Sequence, residues 1–139
     1  LAPDARVQLI DGEIIDMPPI GSRHMSVVNR LNQLLVMAIG GRAIVSARNP
    51  VELSDRSEPE PDLTLLRARD DFYRYALPLA NDVLLAIEVA DSTLAYDRDV
   101  KRPLYARHRV PEYWLIDVNA GRMLTFGDPL DGHYAVESR

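Results

Sequence analysis

Three polar residues stand out because they occur among apolar neighbours. Asp62 begins an apolar run directly after Pro61, Glu88 lies near the end of the nearly continuous apolar stretch 83–90, and Lys101 follows shortly after it. A carboxylate in an apolar strand loses hydration, at a large cost in free energy, unless it gains a cation, hydrogen bonds or a proton. Polar residues that interrupt an apolar pattern are often functional.

A bound divalent cation would satisfy both carboxylates at once. Magnesium prefers oxygen ligands and usually takes one or two carboxylates while keeping several waters. Asp62 and Glu88 on adjacent strands would supply the carboxylates, and the backbone carbonyl of Val89 would supply a third oxygen. Such an ion polarises a phosphoryl oxygen and activates water, and the Lys101 ammonium would orient that water or stabilise the developing negative charge. This set predicts a phosphodiester hydrolase that uses Mg²⁺ or Mn²⁺.

Each of these residues also has a purely structural interpretation. Asp62, after a proline, would cap a turn. Glu88 would pair with an arginine, since buried charges are seldom unpaired. Lys101 would be an exposed partner of Asp97, which lies four residues earlier in the favourable acid-before-base order. These alternatives stay open at the level of sequence.

The composition indicates one globular domain spanning residues 1–139. The chain has 139 residues, of which 47% are hydrophobic, and no cysteine, which excludes disulfides, thiolate catalysis and cysteine-ligated zinc. Because it begins with Leu1 rather than methionine, we expect some terminal elements to be missing. No apolar stretch is long enough to span a bilayer and no secretory layout is present, so we expect a soluble, cytoplasmic protein without a membrane partner.

The net charge of −5 argues against a broad basic surface for nucleic acid. One segment is nevertheless basic and contains six cationic or imidazole side chains within twelve residues, namely Arg98, Lys101, Arg102, Arg107, His108 and Arg109. Charge alone favours a solvated helix face for this segment.

The first third of the chain predicts a hairpin and a helix. Residues 7–10 and 14–17 flank Asp11–Gly12, a strong hairpin signal. From Ser22, a plausible N-cap, apolar residues follow helical spacing until Gly40. The short apolar runs at 43–47, 51–53, 63–66 and 83–90 then predict strands, and the last has the pattern of a central strand covered on both faces.

The remaining elements suggest an α/β or α+β domain. Residues 67–82 form an irregular connection, and residues 97–108 predict a second helix that begins near Asp99, because Pro103 is tolerated best in a first turn. Two further strands cover 113–118 and 122–126. Aromatic packing is the expected role of Tyr105, Tyr113 and Trp114.

In this order and spacing, the residues resemble the Uma-two family (domain of unknown function 820), a branch of the PD-(D/E)XK nuclease superfamily. The similarity covers most of the chain. It is carried by seven short segments, at 9–14, His24, 61–63, 87–92, 96–101, 104–107 and 111–117.

The resemblance implies a restriction-endonuclease-like core, in which helices flank a mixed central sheet and an N-terminal β-hairpin precedes it. Asp62 and Glu88 match the two acidic positions of the family. The superfamily's usual lysine, two residues after the glutamate, is Ala90 here, and Lys101 from the following helix would replace it. The resemblance also places His24 and Glu13 at the site as a metal ligand or water-positioning groups. Glu60 is a further acidic candidate.

These observations lead to a metal-dependent endonuclease acting on DNA as the first functional hypothesis. A homodimer is expected, because a small nuclease must reach both strands. The acidic charge and Ala90 motivate a second hypothesis, a noncatalytic module that retains the fold for nucleic-acid binding or assembly. A third, acid-base hydrolysis by two carboxylates without metal, requires a substrate-sized gap between them.

Overall fold

The computed structural model describes residues 6–139. Leu1, on which the expectation of missing terminal elements rests, lies outside the described residues. In chain order the elements are β1 (Val7–Ile10), β2 (Glu13–Asp16), α1 (Ser22–Ile39), β3 (Ala43–Ala47), β4 (Leu63–Arg67), β5 (Val83–Ala90), α2 (Leu94–Tyr96), a wide helical turn (Asp97–Lys101), α3 (Arg102–Arg107), β6 (Glu112–Asp117), β7 (Arg122–Leu130) and β8 (His133–Ser138). Short 3₁₀ turns at Gly40–Arg42 and Ala80–Asp82 precede β3 and β5.

A mixed six-stranded sheet forms the centre of the structure. Its strand order is β3-β4-β5-β6-β7-β8, and within residues 6–139 the β5–β6 pair is parallel while the other neighbours are antiparallel. β1 and β2 pair separately as an antiparallel hairpin. Asp11 and Gly12 at its tip both have positive φ, as an Asp-Gly turn requires. The predicted fold class, including the N-terminal hairpin, is confirmed.

Strand β5 is buried on both faces, as its apolar sequence predicts. Leu85, Ile87 and Val89 belong to the apolar cluster that includes Val28 of α1. Because side chains alternate along a strand, residues 86, 88 and 90 face the other way, where Ala86 and Ala90 share a cluster with Leu104, Tyr105 and Tyr113. Glu88 therefore points to the side covered by α3.

The helix after β5 begins earlier than predicted, so the expected start near Asp99 is wrong. Helical structure begins at Leu94 and passes through the wide turn, where the amide of Arg102 donates to the carbonyl of Asp97 five residues earlier. Tyr113 Oη also donates to this carbonyl, at 2.9 Å. The widened turn changes the hydrogen-bond ladder ahead of Pro103, which has no amide to donate. Such π-bulges occur frequently at functional sites.

Two other local predictions are wrong. Ser22 is the first residue of α1 rather than its cap, and Gly21 takes the cap position without a side-chain hydrogen bond. Residues 51–53 do not form a strand: Glu52 makes an isolated bridge to Leu79, while the amides of Val51 and Leu53 donate to the carbonyls of Pro59 and Ser57 within the same loop.

Strand β8 was not predicted from the sequence. It pairs with β7 through a turn at Asp131 and Gly132, which both have positive φ. This is the same Asp-Gly signal that predicts the first hairpin. Among the described residues, no helix is both long and apolar enough to cross a membrane.

The central position of β5 predicts a large stability loss on truncation there. Ile87 is fully buried, so Ile87→Ala should lower the free energy of unfolding by about 2–5 kcal/mol, through lost burial and a cavity. Val136→Ala, at a 55% exposed position on β8, should change it by less than about 0.5 kcal/mol. Denaturant titration of both variants measures this, and equal losses would contradict the core assignment.

Candidate active site

Three neighbouring strand ends place Arg48, Asp62 and Glu88 side by side. Ala47 pairs with Leu63, and Leu63 pairs with Ile87. Because both pairings are antiparallel, one step further toward this end of the sheet places Arg48, Asp62 and Glu88 in a row across it. The amide of Arg48 donates to the carbonyl of Asp62 at 3.0 Å, which continues the pairing beyond β3. The sheet register thus brings the two predicted carboxylates onto adjacent chain segments.

Glu88 binds Lys101 in the interior of the protein. Lys101 Nζ donates to Glu88 Oε2 at 2.7 Å, Tyr105 Oη donates to the same oxygen at 3.0 Å, and both charged side chains are only 3% exposed. The interpretation of Lys101 as an exposed helix residue is therefore wrong. The alternative partner for Glu88 was an arginine, whereas its ionic partner here is Lys101.

Lys101 reaches the space beside Ala90 from a different backbone position. Glu88 and Ala90 share one face of β5, and Ala90 is completely buried under the helical segment that carries Lys101. The small alanine side chain leaves room for the longer lysine next to Glu88. The helix thus brings an ammonium group to the face of β5 on which residue 90 lies.

Asp62 bonds to β5 and α1 rather than capping a turn. The amide of Val89 donates to Asp62 Oδ2 at 2.8 Å, and His24 Nε2 lies 3.1 Å from Asp62 Oδ1. The hydrogen bond to Asp62 raises the pKa of His24 against the opposing effect of burial, and the backbone of Val89 raises it further. The first turn of α1 therefore places a readily protonated imidazole beside the carboxylate.

Asp97 is a buried site residue that the sequence interpretation treated only as a surface partner. It is 4% exposed and accepts a hydrogen bond from Thr93 Oγ1 at 2.7 Å. Burial raises the pKa of Asp97, although Lys101 opposes this shift. The available signal was helical spacing, since Asp97 and Lys101 share a face with the apolar Leu104 and Tyr105.

The buried charges of the site do not balance. Burial raises the pKa of Glu88 to about 8, although Lys101 acts to lower it. Burial acts to lower the pKa of Lys101, but the Glu88 and Asp97 carboxylates outweigh burial and raise it. Three buried carboxylates, with Asp62, thus surround one buried ammonium. A site with this acidic excess favours an additional proton or cation.

These groups line one cavity of about 270 Å³. Five of the predicted site residues line it, namely His24, Asp62, Glu88, Val89 and Lys101. Arg48 and Asp97, which were not predicted, line it as well. Glu13 is exposed at the start of β2 and does not line the cavity. Glu60 bonds to Arg6 and is likewise outside the lining.

The donor set matches a hard cation that keeps part of its water shell. Within residues 6–139, no three acidic or histidine side chains converge in the arrangement of a complete metal cage. Asp62 and Glu88 line the same cavity and lie on adjacent chain segments. Two carboxylates, with a backbone carbonyl such as that of Val89, are the kind of protein ligands that Mg²⁺ takes when several waters remain bound.

Comparisons with known proteins point to nucleases. The family model described as "Uma2: Putative restriction endonuclease" matches residues 1–139. A solved structure described as a putative nuclease belonging to DUF820 from Anabaena variabilis ATCC 29413 is similar to this chain, with a TM-score of 0.73 and 14% sequence identity. The similarity covers 95% of this chain and 74% of the other. At this identity it shows a shared fold. Comparison with curated proteins finds no match.

The raised pKa of Glu88 predicts a pH-dependent stability. The folded protein holds this proton up to about pH 8, whereas an unfolded chain releases it near the ordinary pKa of 4.5. The folded state therefore binds more protons in this window, and its free energy of unfolding should fall by roughly 1 kcal/mol per pH unit as the pH rises. Glu88→Gln should reduce the slope by this amount and leave the smaller contributions of His24 and Asp97, whose pKa values are also raised, as measured by denaturant titration in EDTA.

The control for this experiment is Glu137→Gln, which removes an exposed carboxylate of β8. It should retain the slope of the parent between pH 4.5 and 8. A Glu88→Gln variant whose stability follows the parent's pH profile would show that Glu88 is already ionised in the folded protein.

Proposed function

The chain belongs to the Uma2 family, described as "Putative restriction endonuclease", and we propose that it is a metal-dependent endonuclease that hydrolyses phosphodiester bonds of DNA. One observation carries the proposal. The buried Lys101 ammonium bonds to Glu88, Asp62 lies on the adjacent chain segment, and all three side chains line the same cavity. A carboxylate pair beside a cation is suited to phosphoryl-transfer chemistry, which depends on positioning and charge stabilisation.

Asp62, Glu88 and the carbonyl of Val89 would hold Mg²⁺ or Mn²⁺. When bound, such an ion polarises a phosphoryl oxygen and lowers the pKa of an attacking water. The acidic excess of the cavity supports this assignment. The single Lys101 ammonium does not neutralise the acidic groups, so their remaining negative charge attracts a further cation. The two hydrogen-bonding partners of Asp62, the Val89 amide and His24, fix the orientation of its carboxylate.

Lys101 would stabilise negative charge on the phosphate or orient the attacking water. Its ammonium is already held in place by Glu88, so little reorganisation accompanies the reaction. His24 would act as a positioning residue through Asp62. Its hydrogen bond to Asp62 raises its pKa, and the imidazolium form strengthens that bond.

The proposal predicts DNA cleavage that requires both a divalent cation and Glu88. Purified protein should cut supercoiled plasmid DNA with Mg²⁺ or Mn²⁺, and EDTA or Glu88→Ala should abolish cutting because one metal-binding carboxylate is lost. Glu137→Ala, at an exposed position on β8, should cut like the parent. Gel electrophoresis of the plasmid measures the reaction.

A homodimer, which would bring one site to each strand, should give linear plasmid rather than nicked circles.

Two outcomes would overturn this function. Metal-dependent cutting that survives in Glu88→Ala would assign the activity to another site or a contaminant. A parent protein that cuts neither DNA nor RNA and does not bind Mn²⁺ would instead support the noncatalytic module. That alternative was suggested by Ala90 at the usual lysine position.

A second prediction separates the role of Lys101 from that of the metal ligands. Lys101→Met keeps the apolar stem but removes the ammonium, so turnover should fall at least about a hundredfold. The loss of positive charge raises the pKa of Glu88 further and weakens metal binding near neutral pH. Turnover must therefore be compared with that of the parent at saturating Mn²⁺ over a pH series that extends well above 8, so that the higher pKa of Glu88 in the variant is taken into account. Circular dichroism confirms that the variant is folded. Cleavage at the parent's rate under these conditions would exclude Lys101 from catalysis.

A further inference from the structure

The cavity contains a third cationic side chain that the proposed chemistry does not use. Its basic lining residues are His24, Arg48 and Lys101. Lys101 Nζ is bonded to Glu88 and His24 Nε2 lies against Asp62. Arg48 differs from both, because it forms no ion pair with any residue in the range 6–139. Its Nε is buried without a hydrogen-bond partner, as are His24 Nδ1 and Tyr96 Oη of the same cavity.

The backbone holds Arg48 in an unusual conformation beside Asp62. Its φ is 59°, in the left-handed region that residues other than glycine seldom adopt. Its amide donates to the carbonyl of Asp62, so the sheet register fixes its position in the row with Asp62 and Glu88. Strained residues of this kind cluster at active sites and ligand clamps, where the surrounding structure maintains them.

A structural role leaves the buried Nε–H unexplained. An arginine that stabilises the fold donates its buried N–H groups to carbonyl or carboxylate oxygens, because an unpaired buried donor is unfavourable. A ligand that enters the cavity can supply the missing acceptor in place of water. A phosphate oxygen fits this requirement, since the planar guanidinium binds phosphate through two parallel hydrogen bonds.

We propose that Arg48 binds a backbone phosphate of the nucleic-acid substrate beside the Asp62–Glu88 pair. This assignment rests on the proposed nuclease function and adds the residue that engages the substrate. The net charge of −5 and the acidic cavity would otherwise repel a polyanion. Arg48 offsets this repulsion at the row of residues where the phosphodiester must lie, while Lys101 stays paired with Glu88.

The test compares DNA binding of Arg48→Asn with that of the parent over a range of salt concentrations. Asparagine tolerates positive φ, so this variant removes the charge while keeping the backbone conformation. Ca²⁺, which also takes oxygen ligands, replaces Mg²⁺ in the binding assay, and fluorescence anisotropy of a labelled DNA duplex reports affinity. Loss of one phosphate contact should weaken binding about tenfold and reduce the slope of log affinity against log salt by about one.

Matched variants distinguish charge, geometry and folding. Arg30→Asn, at an exposed position of α1 outside the cavity, should leave affinity and slope unchanged. Arg48→Lys should retain the salt slope but bind more weakly than the parent, because an ammonium cannot make the two parallel bonds. Thermal unfolding checks that Arg48→Asn is folded, and Arg48→Gln replaces it in the assay if it is not.

The outcomes for Arg48 and for nuclease activity are separable. If the parent binds DNA without cutting it in Mg²⁺ or Mn²⁺, the proposed function fails, while a reduced slope in Arg48→Asn still supports phosphate binding. If the parent cuts DNA and the folded Arg48→Asn variant retains its affinity, salt slope and KM, the assignment of Arg48 is overturned and the nuclease function stands. A parent that does not bind DNA overturns both.

Discussion

The buried bond between the Lys101 ammonium and the Glu88 carboxylate constrains the structure around it. A buried ammonium persists only with a closely placed oxygen acceptor and additional hydrogen bonds around the pair, and loss of the acceptor leaves it uncompensated. Tyr105 supplies an additional hydrogen bond to Glu88. Ala90 leaves space for the lysine, and the wide turn at Asp97–Lys101 sets the position from which the lysine reaches β5. The packing of the helix on β5 therefore positions the polar Lys101–Glu88 contact as well as forming part of the apolar core.

The same contact does not neutralise the cavity, and this imbalance connects the structure to the proposed chemistry. Asp62 and Asp97 add two carboxylates to the one that Lys101 balances. In the metal-free protein burial raises the pKa of Glu88 to about 8, and the Asp97 and Asp62 carboxylates add to this rise against the opposing effect of Lys101. Below that pH a proton on Glu88 relieves the excess negative charge. A divalent cation would replace that proton. The site is therefore suited to exchange a proton for a metal ion near neutral pH.

The sequence predicted the elements whose signals are local. The apolar runs at 43–47 and 83–90 gave β3 and β5 with their observed bounds. The Asp131–Gly132 turn before β8 is the same local hairpin signal as Asp11–Gly12, so β8 was also predictable from the sequence. The burial of Lys101 could not be derived, since it depends on the contact between α3 and β5 and on a π-bulge without a sequence signature. Arg48 could not be found either, because its importance arises from register and a positive φ.

A crystal structure of the protein soaked with Mn²⁺, in which anomalous diffraction locates the ion, tests the metal site most directly. We predict one Mn²⁺ in the cavity, with Asp62, Glu88 and the carbonyl of Val89 among its ligands and with Lys101 still beside Glu88. An ion bound elsewhere, or a cavity that excludes Mn²⁺ while the Lys101–Glu88 pair remains unchanged, would contradict the assignment of this cluster as a metal-dependent active site.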